Sequence, residues 1–500
     1  MLLLGKIMKP ITVVTPYSPS PCFEKTLHSL AESGLVENVT ILSRESVGLN
    51  MDRCRVFAGS PLTSKETLEH VLTETRTKYL LILPGVRQVL FEPDGLLRML
   101  DAAESTKAGM VYPDFYETDK EEKKIIHPLN DYQMGSVRDD FDFGSTMIFS
   151  TTAAGKAFEK YGGLPQVQYA GIYALRLKVS IEHLVHHIQE PLYTMAREDN
   201  SADAGKHFAY VDPRNRSVQK EMEIVFTDYL RKIGAYLPAG TLREAKNESQ
   251  PFSAEASIII PVRNRKGTIS DAVKSAFSQE ANFPFNVIVV DNHSTDGTTA
   301  VLSGLARQYP ALKHIVPVKT DLGIGGCWNE AIYSEACGRY AVQLDSDDLY
   351  GDTGTLRKIV DMLREGNYAM VIGSYTIVNF NLETIPPGLI DHSEWTYDNG
   401  HNNALRINGL GAPRAFNTNV IRNIGFLNVS YGEDYTVALR ISREYRIGRI
   451  YESLYLCRRW EGNTDAALSI EEVNRNDAFK DKVRTDEILA RQKMTKGFNP

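Results

Sequence analysis

The sequence predicts an α/β layered protein written twice along one chain, and three observations predict it. Short β-branched apolar runs alternate with amphipathic stretches, the pattern of parallel strands and crossover helices. The order of those runs in the first half returns in the second. The composition, 42% hydrophobic and 24% charged over 500 residues, is that of globular chains large enough for two or three cores.

The repeat is read from four matches. ITVVTPYS (11–18) resembles SIIIPVRN (257–264), and KYLLILPG (78–85) resembles RYAVQLDS (339–346). GMVYPDFY (109–116) resembles AMVIGSYT (369–376), and PLYTMAR (191–197) resembles SLYLCRR (453–459). They keep one order and a nearly constant offset, 246 to 262 residues. Apolar strands look alike, so any one match is weak; four in register predict a duplication. The join is expected in the polar PAGTLREAKNESQPFSAE (238–256), giving domains 1–250 and 251–500. VQKEMEIVFTDYLRKIGAYL reads as the helix closing the first copy, and the charged stretch after about 470 as a helical tail.

In the second copy, ASIIIPV and FNVIVVD read as strands buried on both faces. Between them, TISDAVKSAFSQE puts Ile269, Val273 and Ala276 on one stripe, with Thr268 or Ser270 as the N-cap. A further helix carries Val301, Leu302, Leu305 and Ala306. In such folds ligands bind beyond the carboxyl ends of the strands.

The charge balance excludes some classes. With 56 Lys+Arg against 63 Asp+Glu, the formal charge is −7, which argues against nucleic-acid binding through bulk positive charge. No apolar run approaches the roughly 18 residues of a membrane-spanning helix. MLLLGKIMKPITVV reads as a lead into a strand, not a signal peptide. Five scattered cysteines with no CxxC predict a reduced cytoplasmic chain. That reading leaves open a peripheral place at the inner face of a membrane, and a homo-oligomer.

Five elements carry candidate chemistry. Pro261-Val262-Arg263-Asn264 ends a buried strand, as a plain strand-to-helix turn or as backbone open to a ligand. VVDNHSTDGT (289–298) delivers Asp291 to the sheet edge, where a carboxylate can accept hydrogen bonds from a base or ribose. Asp296 reads as a helix-start brace. In YAVQLDSDD (340–348) a hydrophobic strand runs into Asp345, Asp347 and Asp348; that much buried like charge is costly unless a cation compensates. Hard oxygen ligands suit Mg²⁺ or Mn²⁺, a Lewis acid for a nucleoside diphosphate leaving group. The alternative is a solvated acidic turn. In YGEDY (431–435) Glu433 and Asp434 are either a helix cap or a base for an acceptor hydroxyl. In LCRRWEGNT (456–464) Arg458 and Arg459 could neutralise a pyrophosphate and Trp460 could stack on a sugar or base, or all three lie in a surface loop. Gly323, Gly325 and Gly326 lack a following GK[ST], so they read as a close backbone approach, not a P-loop.

Taken in order, IIIPVRN, VVDNHSTDGT, LDSDD, GED and the Arg-rich closing segment resemble the inverting family 2 glycosyltransferases, over about 254–465. The spacing of LDSDD and GED, about ninety residues, is the most specific part. The resemblance implies two tandem GT-A-like (nucleotide-diphospho-sugar transferase) α/β/α domains, the C-terminal one catalytic. It implies that Pro261, Arg263, Asn264 and Asp291 line the nucleoside pocket, that Asp345 meets ribose or metal, and that Asp347 holds a divalent cation, Mn²⁺ or Mg²⁺, with Asp348 behind it. Asp434, less so Glu433, would be the general base, and Arg458, Arg459 and Trp460 would close on the nucleotide sugar. Many relatives carry a His in the closing segment where Trp460 stands, which leaves the third metal ligand open. The expected donor is a nucleotide sugar, a UDP-sugar favoured; the acceptor hydroxyl, on a glycan, a lipid-linked or a small molecule, is left open.

The first copy has lost these groups. Leu83-Pro84-Gly85-Val86 stands where Leu344-Asp345-Ser346-Asp347 does, and Tyr169-Ala170-Gly171-Ile172 where Gly432-Glu433-Asp434-Tyr435 does. It is expected to be a pseudo-domain that shapes the acceptor groove or mediates oligomerisation. A non-catalytic sugar-nucleotide-binding or scaffold protein is the alternative from another class, and a nucleotidyltransferase ranks last for want of a glycine-rich loop.

Overall fold

A computed structural model describes residues 8–45, 47–48, 51–85, 89–119, 123–196, 215–246, 251–460, 462–463 and 468–498. Val86, Glu461 and Thr464 of the sequence motifs lie outside the described residues. The chain forms two compact units: 1–202, 217–235 and 469–488 in the first, and 203–216, 236–468 and 489–500 in the second. The sequence expectation had a single join near residue 250.

The first unit is built on β1 (Ile11–Pro16), β2 (Val36–Ser43), β3 (Cys54–Ala58), β4 (Tyr79–Ile82), β5 (Val89–Phe91), β6 (Met110–Thr118), β7 (Lys124–His127), β8 (Met147–Ser150) and β9 (Val185–Ala196). They form one sheet in the order β3-β2-β1-β4-β8-β6-β9-β5, with β7 paired to β6. The second unit uses β10 (Ala256–Val262), β11 (Phe285–Asp291), β12 (Leu312–Ile315), β13 (Tyr340–Gln343), β14 (Leu349–Tyr350), β15 (Met370–Val378), β16 (Thr384–Ile390), β17 (Arg414–Asn417) and β18 (Ile447–Arg458). Their order is β12-β11-β10-β13-β17-β15-β18-β14, with β16 paired to β15, strand for strand the order of the first. The four sequence matches fall on β1/β10, β4/β13, β6/β15 and β9/β18. Even an irregularity is shared: β6–β9 shifts register around Asp114, and β15–β18 around Ser374. This is a tandem α/β duplication, as expected.

The strands of the second unit read as buried because they are. Ile258, Ile260, Val287, Val289 and Val342 are all fully buried. The helix Ile269–Phe277 packs Ile269, Ala272, Val273 and Ala276 on them. Thr268 is at its N-cap, but the side chain makes no cap bond. In Thr298–Gln308, Leu302 and Leu305 face inward. Thr355–Glu365 buries Leu356, Ile359, Val360 and Leu363 on one stripe. Each such side chain contributes about 1.5–3 kcal/mol on burial.

The charged C-terminal helix, Ile470–Phe498, is held differently. Within the first unit Asp481 is fully buried, accepts from Ser136 Oγ at 2.8 Å and pairs with Arg484 at 2.7 Å. Arg138 reaches Asp477 at 3.0 Å and Asp481 at 3.4 Å. Arg138 also pairs with Asp140 at 3.1 Å. Among the described residues no helix is long and apolar enough to cross a membrane.

Candidate functional site

The closing strand fixes the acidic loop that follows β13. β14 pairs antiparallel with β18, Leu349 opposite Leu456, so residues 345–348 are drawn against β18. The Asp345 backbone N–H donates to the Tyr455 hydroxyl at 2.9 Å, and Arg458 N–H donates to Asp348 Oδ1 at 2.7 Å. Arg458 Nε donates to the Asp347 carbonyl. Arg458 is buried and its Nη1 meets Asp271 at 3.2 Å. It therefore braces the loop from beneath, and does not face an open cleft. Arg459 is half-buried and donates through its backbone to Val378 O at 2.8 Å.

Asp347 is the carboxylate turned outward. Its Oδ2 accepts from Trp460 Nε1 at 3.2 Å and Asn463 Nδ2 at 3.4 Å, and Arg265 Nε lies 3.8 Å away. Arg265 also donates to Gly462 O at 3.1 Å, which ties the first-strand loop to the closing segment. Among the described residues Asp347 Oδ1 accepts no hydrogen bond. Asp345 accepts from Gln343 Nε2 at 3.0 Å on both oxygens. Burial pushes its carboxyl up and Asp347 adds to this, while Arg414 and Gln343 oppose them. Burial pushes Asp348 well above the ordinary carboxylate range, and Asp345 and Asp347 push it further.

The second half of the site begins where Gly432, at φ +74°, opens the helix Glu433–Ser442. Asp434 Oδ2 pairs with Arg414 Nη1 at 2.5 Å, and Asp434 Oδ1 accepts the Tyr435 N–H at 2.7 Å. Glu433 is 8% exposed; burial and then Asp434 push its carboxyl up to about 8, with backbone N–H groups and Arg414 opposing. Arg414 stands on β17, next to β13 in the sheet. Its N–H donates to Gln343 Oε1 at 3.1 Å and its Nη1 to Gly411 O at 3.0 Å. Its positive charge acts on Asp434, Asp345 and Glu433 together. One amide and one guanidinium thus join LDSDD to GED in a single polar cluster. Arg414, Gln343, Arg265, Tyr455 and Asn463 were missed in the sequence. All but Asn463 sit in strands or turns whose partners are distant in the chain, and no local motif marks them.

The nucleoside-side candidates divide. Pro261 is half-buried on β10 opposite Val290, and Arg263 is exposed with no hydrogen bond among the described residues. Asn264, at φ +53°, clasps the neighbouring loop: its N–H donates to Ser294 Oγ at 3.0 Å and its Oδ1 accepts Thr295 N–H at 2.8 Å. Asp291 is fully buried; it accepts from Ser294 N–H at 3.1 Å and Thr299 Oγ1 at 2.5 Å, with His314 at 3.4 Å. These bonds outweigh its burial and hold its carboxyl low, so it braces the loop that it ends. Asp296 accepts from Thr298 N–H at 2.9 Å and Lys266 N–H at 3.0 Å, the helix-start role expected of it.

The glycines before GED act by contact. A Cβ on Gly325 would stand 1.9 Å from Leu427 O, and one on Gly326 would stand 2.3 Å from Asn428 Oδ1. In the long 376–410 stretch, His392, Trp395 and His401 are all buried, as a packed loop requires.

Whether the acidic loop suits a divalent cation is decided by its donors. Three carboxylates crowd four residues, burial pushes two of them up, and among the described residues Asp347 Oδ1 accepts no hydrogen bond. That arrangement fits a hard cation held through few protein oxygens. Among the described residues there is no group of three His, Cys, Asp or Glu that could cage a metal unaided.

Comparison with known proteins bears on the same segment. Residues 257–421 match the sequence model of glycosyl transferase family 2. A Campylobacter jejuni GalNAc(5)-diNAcBac-PP-undecaprenol beta-1,3-glucosyltransferase is 30% identical over 141 residues, 28% of this chain and 44% of that protein. A Bacillus spizizenii poly(ribitol-phosphate) beta-glucosyltransferase is 33% identical over 102 residues, 20% of this chain and 16% of that one. An uncharacterised Mycobacterium tuberculosis protein is 30% identical over 107 residues and 31% of its length, so the chain spans less than half of each of these relatives. Among solved structures, Staphylococcus aureus TarS with UDP-GlcNAc overlaps 47% of this chain and 72% of that one at 22% identity and TM-score 0.36. At that score the likeness adds nothing to the strand order. The likeness to glycosyl transferase family 2 is thus carried by residues 257–421 of the chain.

Proposed function

We propose that the second unit transfers a sugar from a nucleotide sugar, a UDP-sugar favoured, to an acceptor hydroxyl with inversion at the anomeric carbon, in glycoconjugate biosynthesis. The observation that carries this is the Arg414 bridge. It links Asp434 through Gln343 to Asp345, which supports one shared site for the diphosphate and acceptor ends. Two separate clefts could not share one donor.

The first-strand turn with Pro261, Arg263 and Asn264, and the loop braced by Asp291, form the nucleoside side. Asp345 and Asp347 would hold a divalent cation, Mn²⁺ or Mg²⁺, which when bound supplies a Lewis acid for the charge developing on the diphosphate. Trp460, Asn463 and Arg265 close over Asp347. Asp434 accepts the proton of the acceptor hydroxyl as its oxygen attacks the anomeric carbon. The bond from that carbon to the diphosphate oxygen breaks with its electron pair on the leaving group, so a single displacement inverts the centre. A helix N-terminus and Arg414 both favour the ionised Asp434 that this step needs. Glu433, pushed up to about 8, carries a proton near neutrality and is the poorer base. The first unit, with neither the acidic pair nor the base, is non-catalytic.

The reading is tested by a donor-hydrolysis screen of UDP-, GDP- and dTDP-sugars with Mn²⁺. One donor is expected to turn over, and Asp434→Asn to lower turnover about 10²–10⁴-fold. Full activity in Asp434→Asn would remove the base from the account.

A further inference from the structure

The first unit contains an open cavity of about 510 Å³ lined by Arg98, Asp131, Tyr132, His186, His187 and Gln189, among others. None of these residues belongs to the equivalents of the transfer site. The cavity runs along the first half of β9, away from the strand ends where the first unit has lost its carboxylates.

Its wall is held rigidly. His187 lies between two carboxylates, with Nε2 2.8 Å from Asp114 Oδ1 and Nδ1 2.8 Å from Asp131 Oδ1, and it stacks on Tyr112 at 4.9 Å. Gln189 Nε2 donates to the two Asp131 oxygens at 3.1 and 3.2 Å. Asp131 is thereby fixed while 66% of its side chain stays exposed. With both ring nitrogens taken, His187 has no atom left to act as a base. The Tyr132 hydroxyl is buried and, among the described residues, has no hydrogen-bond partner. Arg98 and Glu190 pair at 2.6 Å on the rim.

The second unit repeats the β15–β18 framework under a packed connection. Ser374 and Arg449 stand where Asp114 and His187 do, with Arg449 Nη2 donating to Asp391 O at 2.9 Å and Ser374 Oγ to the same carbonyl at 3.1 Å. There the segment around Trp395 packs down: Trp395 is 3% exposed and Tyr451 donates to its carbonyl at 2.6 Å. The connection from β7 to β8 is residues 128–146, against 391–413 from β16 to β17, and so four residues shorter.

We propose that this cavity is a binding site for a neutral saccharide. The groups offered to it are the fixed Asp131 carboxylate, the Gln189 carboxamide oxygen and the His186 imidazole, which pair with vicinal hydroxyls as donors and acceptors, beside the Tyr132 ring that lines the same wall. Charge disfavours anionic ligands. Burial opposes it, but Asp114 and Asp131 push the His187 ring toward its protonated form, while burial and His187 push His186 down toward the neutral form. Arg98 offsets Glu190, so the wall is slightly negative and repels phosphates and other anions. Among the described residues no metal cage exists. A polyol meets these groups without bringing a charge. This inference stands on the first unit alone and does not rest on the transferase reading.

The test is saturation-transfer difference NMR on the full chain with methyl glycosides of glucose, galactose, mannose and N-acetylglucosamine. Transfer to the ring protons of at least one is expected. It should fall at least fivefold in Tyr132→Ala and in Gln189→Ala, and persist in Asp434→Asn. Gln189 is exposed, so its variant keeps the fold if Tyr132→Ala does not. No transfer from the wild type, transfer that survives both first-unit substitutions, or transfer that Asp434→Asn abolishes would each overturn the proposal.

Discussion

Arg414 is the residue whose loss the account can read most finely. It pairs with Asp434 and its charge reaches Asp345 and Glu433. Arg414→Gln should lower kcat more than it raises KM, and should move the acidic limb of the pH–kcat profile upward, because Asp434 loses the cation that favours its charged form. A profile that only scales down would make Arg414 structural. Glu433 gives the opposite sign. Its folded carboxyl is pushed up to about 8 from an ordinary 4.5, so its protonated form stabilises the fold fully below pH 4.5, and that contribution is lost as pH rises through 8. Glu433→Gln, which cannot ionise, should gain stability relative to wild type between those limits, by a few kcal/mol at most. Thermal unfolding of both proteins from pH 5 to 8 measures it. The acidic residues themselves were legible because each ends a run of a different character: a buried strand before Asp345, a glycine before Glu433. Arg414 was not, because its partners come from β13 and a helix start that only the sheet order brings beside it.

At the scale of elements, periodicity gave most of what the sheet required. The four repeat matches fall on equivalent strands because strands buried on both faces tolerate few residue types. The helix Thr355–Glu365 tests the packing: Leu356 is fully buried, and Leu356→Ala should cost about 2–5 kcal/mol in denaturant unfolding. The turn before GED tests close approach. Gly325→Ala places a methyl against Leu427 O, so it should cost about 1–3 kcal/mol and disturb the residues leading into Glu433. An unchanged denaturation midpoint would mean that this backbone contact is loose. The closing segment was read for its charges, yet Arg458 turns inward and Trp460 donates to Asp347. Direction along a strand end depends on pairing with β14, which is two residues long and below the reach of any periodicity.

For the whole molecule, duplication explains both the shared sheet order and the division of labour proposed between the units. Hydropathy could not reveal that residues 469–488 belong to the first unit, since Asp481, Arg484 and Arg138 hold them by buried ion pairs and no apolar stripe does. Asp481→Ala leaves two buried guanidinium groups short of a partner and should destabilise the first unit by about 3–5 kcal/mol, read by hydrogen exchange in β6 and β9. The central claim is that the second unit gathers a cation site and a proton acceptor around one bound donor. Calorimetric titration of UDP with Mn²⁺ into wild type, Asp347→Asn and Asp434→Asn tests it most directly. Binding should be lost in Asp347→Asn and retained in Asp434→Asn; wild-type affinity in Asp347→Asn, or loss in Asp434→Asn, would contradict it.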